Sequence, residues 1–288
     1  MKVNVVTVSS GWILEKIADR LIENNNKLNT KMEMRKCYQP NNKADINYYI
    51  DIYNCFWNKS KIKDVGYFTH LDKDSDKSFE DHWKLLDYIV HKNSYYLDRT
   101  AKWGYPREKM KVIVPPIDTE QFHLKKITLG IIQRGYYIGK GHQFMLDLPK
   151  YINLKNFRFL FIGQGWDQVC SEYNKRKIAF MYTRNEDYNL YRKYYEIIDY
   201  LLVPSLWEGG PMCILEALSC GIPIISSKVG FVHDFKIDHV FEPNNYKQLI
   251  KILKNIEKEK LERREQLKNI NWNNYILELY NIFKEVLN

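Results

Sequence analysis

Short apolar runs alternate with longer amphipathic stretches along almost all of the chain, the pattern of successive βαβ units feeding parallel sheets. The spacing predicts strands near Val3–Val8, Ile46–Tyr53, Val65–Thr69, Tyr88–Val90 and Lys111–Val114, with a helix from about Trp12 to Asn24. The run Pro115-Pro116-Ile117-Asp118 then interrupts the alternation, because two prolines suit neither a helix interior nor a central strand. After it the pattern restarts: Leu129–Gln133, a helix around Gln143–Pro149, Phe157–Gly163, Lys177–Met181, Tyr200–Val203, a helix at about Met212–Ser219, and Pro223–Ser226. Two charged amphipathic segments follow, Tyr246–Leu267 and Asn273–Leu287, and the second carries Ile276, Leu279, Tyr280, Phe283 and Leu287 at helical spacing. Two α/β series divided near residues 118–127 imply two domains, which a length of 288 residues can support with separate cores.

Composition narrows the class further. With 45% apolar and 27% charged residues the chain is neither disordered nor membrane-embedded, and no segment approaches the ~18 consecutive apolar residues of a spanning helix. The Met1–Val6 run is too short for a signal peptide, and the five cysteines, Cys37, Cys55, Cys170, Cys213 and Cys220, form no CxxC pair. A cytoplasmic, reducing location is therefore expected, with no disulfide framework and no zinc site. The net charge of +9 suits an anionic partner, but no basic arm concentrates it. Residues 58–63, Asn-Lys-Ser-Lys-Ile-Lys, read either as a phospholipid contact at a membrane surface or as a loop of solvated lysines.

The densest chemistry lies between Pro204 and Leu218. Pro211 suits the first position of a helix, and Gly209-Gly210 before it let a ligand approach bare backbone. The amides of Met212 and Cys213 then face outward at the positive end of the helix dipole, an anion site fitted to a diphosphate. Glu208 and Glu216 bracket that site with acceptors for hydroxyl groups, and phosphate flanked by hydroxyls describes a nucleotide sugar. Upstream, Ile131–Gly141 ends a strand and presents Arg134 and Lys140 on a Gly-rich loop, where both could neutralise the same diphosphate. This loop is not a P-loop, because Arg134 takes the place of its first glycine and Gly141 that of its Ser/Thr.

These residues resemble the GT-B glycosyltransferases, and within them the large retaining group often called GT4. Glu208 and Glu216 are similar to that family's E-x7-E motif, and Arg134 with Lys140 to its G-R-x5-K-G clamp, with Gln133 standing where the family has Gly. Val112–Phe122 resembles the interdomain segment, Phe161–Gly165 the glycine-bearing strand end, Tyr194–Tyr200 the stretch before the motif, and Gly221-Ile222-Pro223 its following turn. The likeness is strong from about residue 88 onward and weaker before it. It implies an α/β fold of two Rossmann-like domains facing across a cleft: an acceptor domain over 1–122, completed by a C-terminal helix over 273–288 that crosses back, and a donor domain over 123–272.

Carried over residue by residue, the resemblance implies that Glu208 binds hydroxyls of the transferred sugar, that Glu216 holds the ribose, and that Arg134 and Lys140 stabilise the leaving diphosphate. Gly209, Gly210, Met212, Cys213 and Arg184 fall on the donor side. In the first domain His70 is the candidate facing the donor sugar, and Gly11 sits where the family has a Gly-rich loop. His91 and Lys92 read either as lining the acceptor side or as a solvated pair. No metal or other cofactor is expected, since two cations and a helix N-terminus can offset the leaving-group charge. The expected partners are a UDP- or GDP-sugar and a glycan, lipid or protein hydroxyl. The first domain is short for the family, and residues 24–45 are polar and poorly patterned. A modified DNA base is a less favoured acceptor, because residues 1–122 carry 20 basic against 17 acidic side chains. A non-catalytic sugar-nucleotide binding protein is the remaining alternative.

Overall fold

The computed structural model describes residues 1–8, 11–28, 30–50, 52, 58–69, 84–136 and 138–288. They divide into two compact units, Met1–Phe122 with Gln266–Asn288, and His123–Glu265.

The first unit is built on six parallel strands: β1 (Lys2–Val6), β2 (Glu33–Cys37), β3 (Ile46–Tyr49), β4 (Lys63–Phe68), β5 (Tyr88–His91) and β6 (Met110–Val112). Their order is β2-β1-β3-β4-β5-β6, with helices α1 (Ile13–Lys27) and α2 (Ser94–Lys102) between them. The chain reverses direction across the sheet between β1 and β3, the flavodoxin-like variant of a doubly wound sheet. Strand β2 lies at the edge inside the stretch expected to be unpatterned, and Met34 is its one buried residue. An edge strand with one solvated face carries too little apolar signal to stand out.

The second unit has strands β7 (Ile127–Ile132), β8 (Phe157–Ile162), β9 (Ala179–Thr183), β10 (Tyr200–Val203), β11 (Ile224–Ser227) and β12 (His239–Phe241). Its helices are α3 (His142–Asp147), α4 (Asp167–Lys175), α5 (Arg192–Tyr195), α6 (Met212–Ser219) and α7 (Tyr246–Glu265). The order β12-β11-β10-β7-β8-β9 is that of the Rossmann sheet, and its reversal falls between β7 and β10. All six residues of β7 are buried, as a central parallel strand covered on both faces requires. Gly130 within it makes room for Ile198, whose Cδ1 would lie 2.8 Å from an added Cβ.

The last helix, α8 (Trp272–Leu287), belongs to the first unit. Asn271 caps it by accepting from the Asn274 amide at 3.0 Å. Tyr275, Ile276, Leu279, Ile282 and Phe283 pack in one core with Val3, Val5, Ile46, Tyr48 and Val65. The Tyr48 and Tyr275 hydroxyls meet at 3.1 Å inside it. The buried seam thus departs from the expected one at its end, where Leu287 is exposed and Tyr275 and Ile282 are buried instead. Both units are α/β, as the alternation requires, and each is built on a doubly wound parallel sheet.

Candidate active site

In open α/β sheets, ligands bind beyond the carboxyl ends of the strands where the order reverses. In the second unit those ends are Ile132 of β7 and Val203 of β10, and the loops that follow are 133–141 and 204–211. The Leu206 amide donates to the Gly139 carbonyl at 2.7 Å, and Gln133 Nε2 to the Lys140 carbonyl at 2.9 Å, so the loops are stitched together. Ser205 Oγ lies 3.3 Å from both Gln133 Oε1 and Glu208 Oε1, and Ser227 Oγ donates to the Ser205 carbonyl at 2.5 Å. Gly141 is required at the junction: its φ is +76°, and a Cβ there would stand 2.1 Å from the Pro204 carbonyl oxygen.

The stitching brings Lys140 and Glu208, 68 residues apart in sequence, into an ion pair through Nζ and Oε1. Their side chains are only 26% and 11% exposed, so the pair is poorly screened. Helix α6 begins next to it. Pro211 stands at the N-cap with φ −70° and ψ 115°, one residue ahead of the helical position expected for it. The Ile214 amide already bonds the Pro211 carbonyl at 2.9 Å, so the Met212 and Cys213 amides come at the helix mouth before the first such bond.

Glu216, one turn further along α6, is bound by two phenols. Tyr188 Oη donates to Oε1 at 3.0 Å and Tyr195 Oη to Oε2 at 2.5 Å. Burial pushes the Cys213 thiol up to about 12, with the negative charges of Glu216 and Glu208 acting the same way and Lys140 opposing them. The Tyr191 phenol is raised by burial and then by Glu216, and lowered by Arg134. Arg134 and Lys140 on the loop after β7, and Glu208 and Glu216 on the loop and helix after β10, thus stand at one end of the sheet. The Arg134 side chain is exposed, and no described residue pairs with it.

A family profile described as glycosyl transferases group 1 matches residues 119–272, more than half of the chain. The chain belongs to that family. Among curated relatives, the lipopolysaccharide 1,6-galactosyltransferase of Escherichia coli K12 is 26% identical over 208 residues, which cover 66% of this chain and 56% of that protein. An E. coli UDP-Gal:α-D-GlcNAc-diphosphoundecaprenol α-1,3-galactosyltransferase is 29% identical over 147 residues, covering 42% of this chain and 37% of that one. The matches thus span about half of these relatives or less. The solved structure of the lipopolysaccharide outer core galactosyltransferase WaaB covers 99% of both chains at 16% identity, with a TM-score of 0.42.

In this group 1 chain the glycine pair before α6 divides its work. A Cβ on Gly210 would meet the Phe231 ring at 2.6 Å, whereas one on Gly209 would meet nothing within 4 Å. Gly210 is therefore needed for packing, and Gly209 leaves open space above bare backbone. Arg184, just past β9, is paired with Asp167 at the start of α4 through Nε at 3.0 Å, so its charge is already committed. In the first unit Gly11 adopts φ +64°, and its amide donates to Glu15 Oε2 at 2.8 Å within the helix it precedes. His70 lies outside the described residues.

His91 and Lys92 are not the solvated pair that sequence allowed. His91 is fully buried beside Phe68, burial lowers its pKa to about 4, and neither ring nitrogen has a hydrogen-bond partner among the described residues. Lys92 Nζ lies 5.6 Å from the centre of the Tyr67 ring, and burial lowers its pKa as well. In the 58–63 stretch Lys59 is tied to the buried Asp64 at 3.2 Å and to Asp87, leaving Lys61 and Lys63 exposed. Sequence reasoning gave no role to Ser205, Tyr188 and Tyr195. Each acts through a contact to a glutamate that chain spacing does not encode. Among the described residues no three His, Cys, Asp or Glu side chains gather as metal ligands, and no helix is long and apolar enough to cross a membrane.

Proposed function

We infer that the chain is a retaining glycosyltransferase that moves a hexose from a nucleoside diphosphate sugar to a hydroxyl of a glycan, lipid or protein. The observation that carries this reading is the convergence of Arg134, Lys140, Glu208 and Glu216 at the reversal point of the second sheet, beside the mouth of α6. Arg134, Lys140 and the helix amides supply fixed positive charge where a diphosphate leaves, and such charge lowers the barrier because it needs no reorganisation. The donor must first draw Lys140 toward its phosphate. That frees a Glu208 oxygen, which Ser205 still orients, to accept hydroxyls of the sugar. Glu216 takes the ribose.

The relatives' names point to hexose donors, one of them to UDP-galactose, and to acceptors that are lipopolysaccharide or a polyprenyl diphosphate sugar. A UDP-hexose is accordingly the first donor for this chain. The two cations and the helix dipole make the chemistry metal-independent, and the reading places the protein in the cytoplasm, peripheral to a membrane where the acceptor is a lipid. The test is release of UDP from UDP-hexoses with a panel of glycan and lipid-linked sugar acceptors, with the anomeric configuration of the product read by NMR. A product with the donor's configuration, formed equally in EDTA, supports the reading. An inverted product would refute retention, and activity abolished by EDTA would refute metal independence.

A further inference from the structure

The two phenols on Glu216 differ in what holds them. Tyr195 is buried in a core with Ile132, Leu160 and Ile214, and its hydroxyl also lies 3.5 Å from the Cys213 carbonyl oxygen. It cannot leave the carboxylate without unpacking that core. Tyr188 stands on the three-residue turn Tyr188–Leu190, is 64% exposed, and has its ring 5.3 Å from that of Tyr191. Its bond to Glu216 is made at the surface, where water competes for both groups.

A vicinal diol binds a carboxylate best by donating to both of its oxygens. At Glu216 each oxygen already accepts from one phenol, and the inner side of Oε2 is closed by the buried Tyr195, so a diol arriving from solvent competes with the exposed Tyr188 hydroxyl for the outward lone pair of Oε1. We propose that Tyr195 is a positioning residue that fixes the Glu216 carboxylate, and that the Tyr188 hydroxyl stands where a ribose hydroxyl docks and is displaced by it. This rests on the donor reading above, which assigns the ribose to Glu216. It gives Tyr188 a sign opposite to that of a contact residue: its hydroxyl opposes nucleotide binding.

Calorimetric titration separates the possibilities. The titrants are whichever of UDP, GDP, ADP and CDP binds the unsubstituted chain, and the 2′,3′-dideoxy form of the same nucleotide. Tyr188→Phe removes one hydrogen bond to a charged group at the surface, so the ribonucleotide should bind roughly three- to tenfold more tightly. The dideoxy form, having no diol to take the vacated oxygen, should bind unchanged. Tyr195→Phe should weaken the ribonucleotide several-fold and leave the dideoxy form unchanged. Equal or weaker ribonucleotide binding by Tyr188→Phe overturns the inference while leaving the donor reading intact. If no nucleoside diphosphate binds the unsubstituted chain, the donor reading fails and takes this inference with it.

Discussion

Glu208 and Arg134 would meet different parts of a nucleoside diphosphate sugar, so their substitutions should separate in kinetics. Glu208→Gln keeps size and shape but loses the charge that accepts sugar hydroxyls. It should lower kcat by one to two orders of magnitude, about 1.4–2.8 kcal/mol, while nucleoside diphosphate affinity is kept or rises, because Lys140 is released from its ion pair. Arg134→Ala removes a cation that no described residue neutralises, and should weaken nucleoside diphosphate binding itself. Steady-state kinetics with parallel calorimetry check both, and equal loss of turnover and affinity in Glu208→Gln would contradict its role. In the first unit His91 makes a prediction about stability. Burial lowers its pKa to about 4, below the ordinary value of 6.5, so the unfolded chain binds the proton more readily. Its contribution is complete above about pH 6.5 and is lost as pH falls toward 4, roughly 2 kcal/mol between pH 7 and pH 5. Denaturant midpoints at those two pH values should converge in His91→Leu relative to the unsubstituted protein; an unchanged pH dependence would contradict the buried neutral imidazole.

At the scale of elements, the site exists because two loops lock at one glycine. Gly141→Ala combines a left-handed backbone with a Cβ 2.1 Å from the Pro204 carbonyl oxygen, so the loops bearing Lys140 and Glu208 must part. A loss of roughly 1–3 kcal/mol is expected, seen as a fall in Tm of several degrees together with lost nucleotide binding. Gly209→Ala, facing open space, should leave Tm unchanged and weaken nucleotide-sugar binding alone. A lowered Tm in Gly209→Ala would show that this glycine serves packing after all. The sequence announced these loops through their glycines and prolines, and the expected helix Met212–Ser219 and strand Tyr200–Val203 coincide with α6 and β10. Helix α4 and strand β12 gave no comparable signal. The first buries only Val169, Cys170 and Tyr173 in an otherwise polar stretch, and the second is a three-residue strand of which only Phe241 is buried.

Over the whole molecule, the two-sheet α/β plan was legible because parallel strands covered on both faces are continuous apolar runs, as Ile127–Ile132 is. The reversal points were not legible, since strand order follows from pairing between distant segments; β10 pairs with β7 across some seventy residues of chain. The same limit applies inside the site. Arg134, Lys140, Glu208 and Glu216 stood out by residue type and spacing, whereas the Lys140–Glu208 ion pair and the two phenols on Glu216 depend on folding. Four polar side chains gathered at a sheet reversal make a donor site only if a nucleotide binds there. The most direct measurement is a thermal-shift titration with UDP, GDP, ADP and CDP without added metal. A nucleotide at 100 times its Kd should add about 2.7 kcal/mol and raise Tm by several degrees. The account predicts that at least one does so, and that Arg134→Ala abolishes the rise. A Tm that no nucleotide moves, with or without magnesium, would contradict it.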